Sequence, residues 1–264
     1  MSESNEVLLY ERRGDAIWLT MNRPEIRNAL AASLVQELSD GLQRAAHDPD
    51  ARVVVLAGAG PVFCAGADVN QYLDAFDRER VFEEGARLYD FLDEMQRCPK
   101  PIIARVQRAA FGGAIGLVCA ADMVVASDDA RFSLSEARLG LVPAVICPSV
   151  VRALGPREAQ AVMLRAEPFG VDDALRLGMI QRAVPGERLD DAVEEWVAQI
   201  RANAPTAMAD TKALVADIAD GRLTPDERRV RCVTIAADRR ASAEGQEGLS
   251  AFLEKRRPSW NPET

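Results

Sequence analysis

Twice in succession the chain runs a short apolar segment into a loop of small residues and then into a helix start. The first copy is RVVVLA (Arg52 to Ala57) followed by GAGPVFCAGAD, and the second is IIARV (102 to 106) followed by FGGAIGL. A β-branched run without polar alternation marks a strand covered on both faces, as in a parallel sheet flanked by helices. Strand–loop–helix units of this kind put their loops at the carboxyl ends of the strands, where α/β folds gather ligand sites. The pattern makes the chain α/β and directs attention to those two loops.

The flanking segments fit the same frame. VLLYERRGDAIWLTMNRP gives two β-rich runs around a turn at Arg13-Gly14-Asp15 and stops at Pro24. A helix is expected over Ala31 to His47, with Leu34, Leu38 and Leu42 on one stripe, and another over Arg80 to Cys98 ahead of Pro99 and Pro101. The loop ending at Asp68 is expected to lead into a helix as well. DMVVA (122 to 126) and a segment near Arg131 to Leu134 are expected to continue the sheet as its third and fourth strands. Beyond Val150 the pattern turns helical, broken at Gly155-Pro156 and Leu177-Gly178, with a long helix around Leu189 to Ala204. The expected organisation is a core over residues 1–200 and a helical region over 201–264.

Composition removes whole classes of function. With 264 residues, 48% of them hydrophobic, the chain can bury a large core. A net charge of −9 argues against a surface built for phosphate backbones or anionic lipid. No apolar run reaches the roughly 18 residues of a membrane span, and an opening that carries Glu3 and Glu6 resembles neither signal nor transit peptide. The expectation is a cytoplasmic protein without nucleic-acid or membrane partners. The five cysteines are widely spaced and never form CxxC, so neither a disulfide framework nor a zinc site is expected. Cys64 adjoins the first loop but has no histidine nearby in sequence to activate it, and a buried structural thiol is the expected role. His47, the single histidine, lies in AAHDPD at a helix end. Ser-His-Asp hydrolysis, His-based zinc catalysis and His general-base dehydration therefore lack their central residue.

The two loops, Cys64-Ala65-Gly66-Ala67-Asp68 and Phe111-Gly112-Gly113-Ala114, crowd small residues where a ligand could touch backbone. N–H groups at a helix start have no intrahelical partner, so two such termini facing each other can donate to one oxygen that gains negative charge. Tight βα turns use glycine for packing too, and spacing alone leaves both readings open.

The chain resembles the crotonase (enoyl-CoA hydratase/isomerase) superfamily nearly end to end. The matching pieces, in order, are NRPEIRNAL (22 to 30), FCAGADV (63 to 69), KPIIARVQRAAFGGAIGLVCAADMVVAS (100 to 127), FSLSEARLGLVPA (132 to 144), ALRLGMIQRAV (174 to 184) and FLEKRRPSW (252 to 260). The resemblance implies a spiral of repeated ββα units with a helical C-terminal region, assembled as a homotrimer or a homohexamer, and an acyl-CoA thioester substrate. It implies no metal and no cofactor beyond the coenzyme A of that substrate. Carried over by position, the oxyanion donors are the N–H groups of Ala67 and Gly113. The Ala65 carbonyl meets the adenine, with Asp68 beside it in the motif, and Arg27 lies near the phosphates. Phe252 and Lys255 reach the adenine end from a neighbouring subunit, although Lys255 with Arg256 and Arg257 also reads as a solvated basic run.

Hydratases of this superfamily usually employ two glutamates. The second position falls on Glu136, in LSEARLG, and the first on Gly116. Flanked by Leu134 and Leu139, Glu136 is expected to have a raised pKa and to exchange a proton with the substrate. The wording around it is similar to the bacterial 3-methylglutaconyl-CoA hydratase branch, which implies hydration of a 2-enoyl-CoA, branched or carboxylated. The single glutamate fits a Δ3,Δ2-enoyl-CoA isomerase instead, and a non-catalytic acyl-CoA binder is the rival from another class. Arg138 either faces a distal carboxylate or forms a surface ion pair. Arg108 and Ala144-Val145-Ile146 stand where the superfamily favours glycine.

Overall fold

The computed structural model describes residues 6–67 and 77–261. Strands β1 (Leu8–Arg13) and β2 (Ala16–Met21) form an antiparallel hairpin in which Arg13 faces Ala16, leaving Gly14 and Asp15 as the turn. β3 (Val53–Gly58), β4 (Ile102–Val106), β6 (Met123–Ser127) and β8 (Arg182–Val184) extend it in parallel, giving the order β1-β2-β3-β4-β6-β8. β5 (Ala109–Phe111) and β7 (Arg131–Ser133) pair separately, also in parallel.

The apolar run of β3 divides by period two. Val53, Val55 and Ala57 join Trp18, Ile103 and Val125 in one cluster with Leu189, Ala192 and Val193 of helix α7 (Leu189–Arg201). Val54 and Leu56 join the larger cluster with Leu34, Leu38 and Leu42 of α1 (Ala32–His47). Each such side chain contributes about 1.5–3 kcal/mol on full burial, which is why both faces of the strand are apolar. Between these helices in sequence lie α2 (Arg78–Arg97), α3 (Gly113–Ala120), α4 (Cys147–Leu154), α5 (Pro156–Arg165) and α6 (Val171–Arg176). The chain ends in α8 (Pro205–Ala219), α9 (Pro225–Ala241) and α10 (Ala243–Glu254).

Two expectations are corrected. The segment at 131–134 does not continue the main sheet. Ser127 Oγ accepts from the Arg108 N–H at 2.9 Å and donates to Asp129 Oδ1 at 2.6 Å, turning the chain so that Arg131 N–H meets the Arg108 carbonyl at 2.8 Å. β7 thus lies beside β5, and β4–β5–α3 is a complete ββα unit. The place beside β6 is taken by β8, so the region beyond Val150 is not wholly helical; it re-enters the sheet before α7 covers it. The expected helix after Asp68 begins outside the described residues.

Among the described residues, α8 and α9 bury no side chain fully and α10 buries only Ala251. Lys212 ties α8 to the core, its Nζ donating to Asp122 Oδ2 at 2.7 Å and to the Met95 carbonyl at 3.0 Å. No helix among the described residues is long and apolar enough to cross a membrane.

Candidate active site

The two small-residue loops are locked together by backbone. Cys64 N–H donates to the Ala109 carbonyl at 3.1 Å and Phe111 N–H to the Cys64 carbonyl at 3.2 Å, a parallel bridge between Cys64 and Ala110. Three residues on from each partner stand Ala67 and Gly113. Gly66 has φ +90°, and a Cβ there would collide with the Phe111 carbonyl oxygen, so close approach of the loops requires glycine. Gly112, at φ +50°, turns the chain into α3 and brings its Cα face to the Glu136 carboxyl; an added Cβ would lie 3.2 Å from Oε1. Among the described residues neither the Ala67 nor the Gly113 N–H has an acceptor. Gly113 is the first residue of α3, where the helix dipole favours a developing negative charge.

A residue without a role in the sequence reading supports the first loop from below. Asn28 is fully buried, with φ +55°, and its Nδ2 donates to the carbonyls of Ala59 at 2.9 Å and Phe63 at 3.0 Å. An Asn before an apolar helix start is a common left-handed residue, and that was the available signal. Arg27, exposed at φ +54°, accepts from Ala65 N–H through its carbonyl at 2.9 Å, so its backbone is part of the same support. Cys64 is buried, donates its Sγ–H to the Asn28 carbonyl at 3.0 Å, and has its thiol pushed up to about 12 by burial. It is a structural thiol.

A cavity of about 460 Å³ opens above the loops, within the range of small-molecule sites. Ala67, Gly113 and Glu136 line it together, with Leu30, Ala31 and Val35 at the α1 end, Val81, Glu84 and Leu88 from α2, and Leu139 with residues 141 to 146 closing the far side. Burial raises the Glu136 pKa, opposed in part by its own backbone N–H. Oε2 is buried without a hydrogen-bond partner among the described residues. Leu134 is buried as expected, whereas Leu139 is 61% exposed and belongs to the mouth.

Gly116 lies in the interior of α3. A Cβ there would be 2.5 Å from Ile146 Cγ2 and 3.1 Å from Leu92 Cδ1. The position is therefore closed by hydrocarbon, and Ile146, one of the non-glycine residues at 144–146, is what closes it. Arg138 is paired with Glu167 on the surface and does not line the cavity. Arg108 holds φ +52°, a backbone region that suits glycine better. Phe252 (80% exposed) and Lys255, the left-handed cap of α10, lie outside the cavity wall; Asp68 falls outside the described residues. His47 ends α1 with Nδ1 2.8 Å from the Gln43 carbonyl. No group of three potential metal ligands occurs among the described residues.

This arrangement presents two backbone donors and the half-buried Glu136 carboxyl to a single small volume, whose wall is apolar apart from Ser135 and a second part-buried carboxyl, Glu84. The sequence model of the enoyl-CoA hydratase/isomerase family matches residues 11–263. The chain belongs to this family. It is 32% identical to the enoyl-CoA hydratase EchA19 of Mycobacterium tuberculosis, with 98% of this chain and 97% of the relative aligned. It is also 32% identical to the carnitinyl-CoA dehydratase of Proteus mirabilis, over 94% and 95% of the two chains. The crystal structure of an enoyl-CoA hydratase from Shewanella pealeana superposes with a TM-score of 0.92 at 35% identity, covering 97% of each chain. The architecture is the crotonase fold, and the chain is an enoyl-CoA hydratase/isomerase-type enzyme.

Proposed function

We propose that the cavity binds an enoyl-CoA thioester with its carbonyl oxygen between the N–H groups of Ala67 and Gly113, and that Glu136 is the one carboxylate that moves protons. Ionised Glu136 removes a proton from C2 of a 3-enoyl thioester, the electron pair passes into a dienolate held by the two donors, and the same carboxyl returns the proton at C4. The product is the conjugated 2-enoyl thioester. The observation that carries this choice is the closure of Gly116 by Ile146, which leaves no room for the second carboxylate of a two-glutamate hydration. Hydration of a 2-enoyl-CoA is the second reading. It is favoured by the relatives named as hydratases and by the similarity to the 3-methylglutaconyl-CoA hydratase branch, and it needs Glu136 to hold the water alone.

For the rest of the substrate, the proposal keeps the Ala65 carbonyl and Asp68 near the adenine, Arg27 near the phosphates, and Phe252 and Lys255 supplied by a neighbouring subunit of a homotrimer or homohexamer. Exposed Val230, Val233, Leu249, Phe252 and Leu253 on the terminal helices support such an assembly. A cytoplasmic setting remains part of the proposal.

The test is a spectrophotometric panel of 3-enoyl-, 2-enoyl- and 3-methylglutaconyl-CoA. Gain of conjugated absorbance from the 3-enoyl substrate supports isomerisation, and loss from 2-enoyl substrates supports hydration. Binding of all three without turnover means a non-catalytic acyl-CoA binder and overturns the proposal.

A further inference from the structure

We infer that Glu84 is a specificity-determining residue that selects acyl chains carrying a hydrogen-bond donor at their far end over chains ending in a carboxylate. The inference rests on the thioester orientation proposed above. Leu88 Cδ2 lies 3.6 Å from where a Cβ on Gly113 would sit, so this turn of α2 stands beside the carbonyl-oxygen donor. Glu84 precedes Leu88 by four residues on the same helix face, and one turn is about 5.4 Å. Gly85 is held from across the cavity by Val145, whose Cγ2 is 3.4 Å from the glycine's Cβ position. Glu84 therefore overlooks the path of the acyl chain beyond the reacting carbons. Its side chain is 24% exposed, and Arg80 Nε donates to Oε1 at 2.9 Å. An exposed pair of this kind adds little stability, but it orients the carboxylate, which keeps acceptor capacity on its second oxygen.

The charge on the wall is one-sided. Glu84 and Glu136 line the cavity, and no Lys, Arg or His does so among the described residues. Residues 68–76, DVNQYLDAF, contain none of the three either. Arg138, the sequence candidate for a distal carboxylate, is engaged by Glu167 away from the wall. A chain ending in a carboxylate would meet Glu84 as a like charge, and Arg80, the cation bonded to Glu84, is already held on Oε1 and does not line the wall. A purely aliphatic chain would strip water from Glu84 without replacing the lost hydrogen bond. A hydroxyl at the far end donates to the free carboxylate oxygen and removes both costs.

The test uses saturated thioesters, so that it reads selection without turnover. Dissociation constants of hexanoyl-, 6-hydroxyhexanoyl- and adipoyl-CoA are measured by calorimetry on the purified protein and on Glu84→Leu and Glu84→Lys. The hydroxylated chain should bind wild type roughly 10- to 100-fold more tightly than the dicarboxylate. Glu84→Leu should shrink that ratio to within about threefold, and Glu84→Lys should reverse it. Equal binding of the two by wild type, or a ratio that survives in Glu84→Leu, overturns the inference. Turnover of the enoyl panel by wild type is measured separately. Its absence defeats the proposed function, while a missing preference defeats only the assignment of Glu84.

Discussion

Ile146, which covers Gly116, and Glu136 line one cavity, and the corners behind them are in opposite conditions. At Gly116 the helix has no side chain, and Ile146 and Leu92 fill the space with hydrocarbon. At Glu136 the side chain is present, and its Oε2 is buried without a partner. One corner gives up a polar group and gains packing; the other keeps a polar group and bears its desolvation. A part-buried carboxyl on the wall of a cavity, its pKa raised by burial, is a candidate for proton transfer, whereas a glycine under an isoleucine is ordinary packing. On the proposed mechanism, proton transfer falls to one side of the cavity and shape to the other.

The largest test of that division is Glu136→Gln, which should lower kcat by on the order of 10²- to 10⁴-fold in steady-state assays, with CoA-thioester affinity retained. Near-normal turnover would break the comparison at its active end. Gly116→Glu attacks the other end. The added side chain has no room and no partner, so urea unfolding should show a loss of about 3 kcal/mol and no gain in hydration. Combining it with Ile146→Gly should restore part of the stability and raise the ratio of hydration to isomerisation. A single Gly116→Glu variant as stable as wild type would show that the corner is open.

The pH dependence separates function from stability at Glu136. As a base the group must be ionised, so the rate falls as pH drops through a pKa raised above the ordinary 4.5. Stability runs the other way. A carboxyl with a raised folded pKa contributes stability below its unfolded pKa and loses it as pH rises through the folded value. Wild type should therefore melt progressively lower than Glu136→Gln as pH is taken from about 4 to about 7. A gap that stays constant over this range sinks the burial argument. The smallest effect is expected at Cys64, where Cys64→Ala should cost about 1 kcal/mol and leave kcat within about twofold, and native protein should resist thiol reagents at that residue.

What could be read from sequence is what local pattern dictates. β3 and α1 were legible because one is an unbroken β-branched run and the other repeats its leucines every four residues, and the structure begins β3 at Val53 and α1 at Ala32, one residue from expectation. β5 and β8, three residues each, carry no periodicity and exist only through their neighbours. The small residues of the two loops marked the site, yet the partner of Gly116 was hidden because Ile146 reaches it from a distant loop. The helix expected over Arg80 to Cys98 carried no expectation of what its apolar residues face. Phe91, Leu92 and Met95 face the core, while Val81, Glu84 and Leu88 face the cavity. Amphipathic spacing names the buried face but does not distinguish a protein core from a ligand chamber.

The pairing of Cys64 with Ala110 sets where Ala67 and Gly113 stand, since each follows its partner by the same count along the chain. Position inherited this way is stepped and not continuous: a slip of one residue would move a donor by about 3.3 Å and point it elsewhere. The proposed grip on a thioester oxygen therefore has no small errors available to it. Side chains around the chamber are free to drift toward new acyl groups while the two donors keep their spacing, because that spacing is counted in peptide units and not tuned by any one substitution.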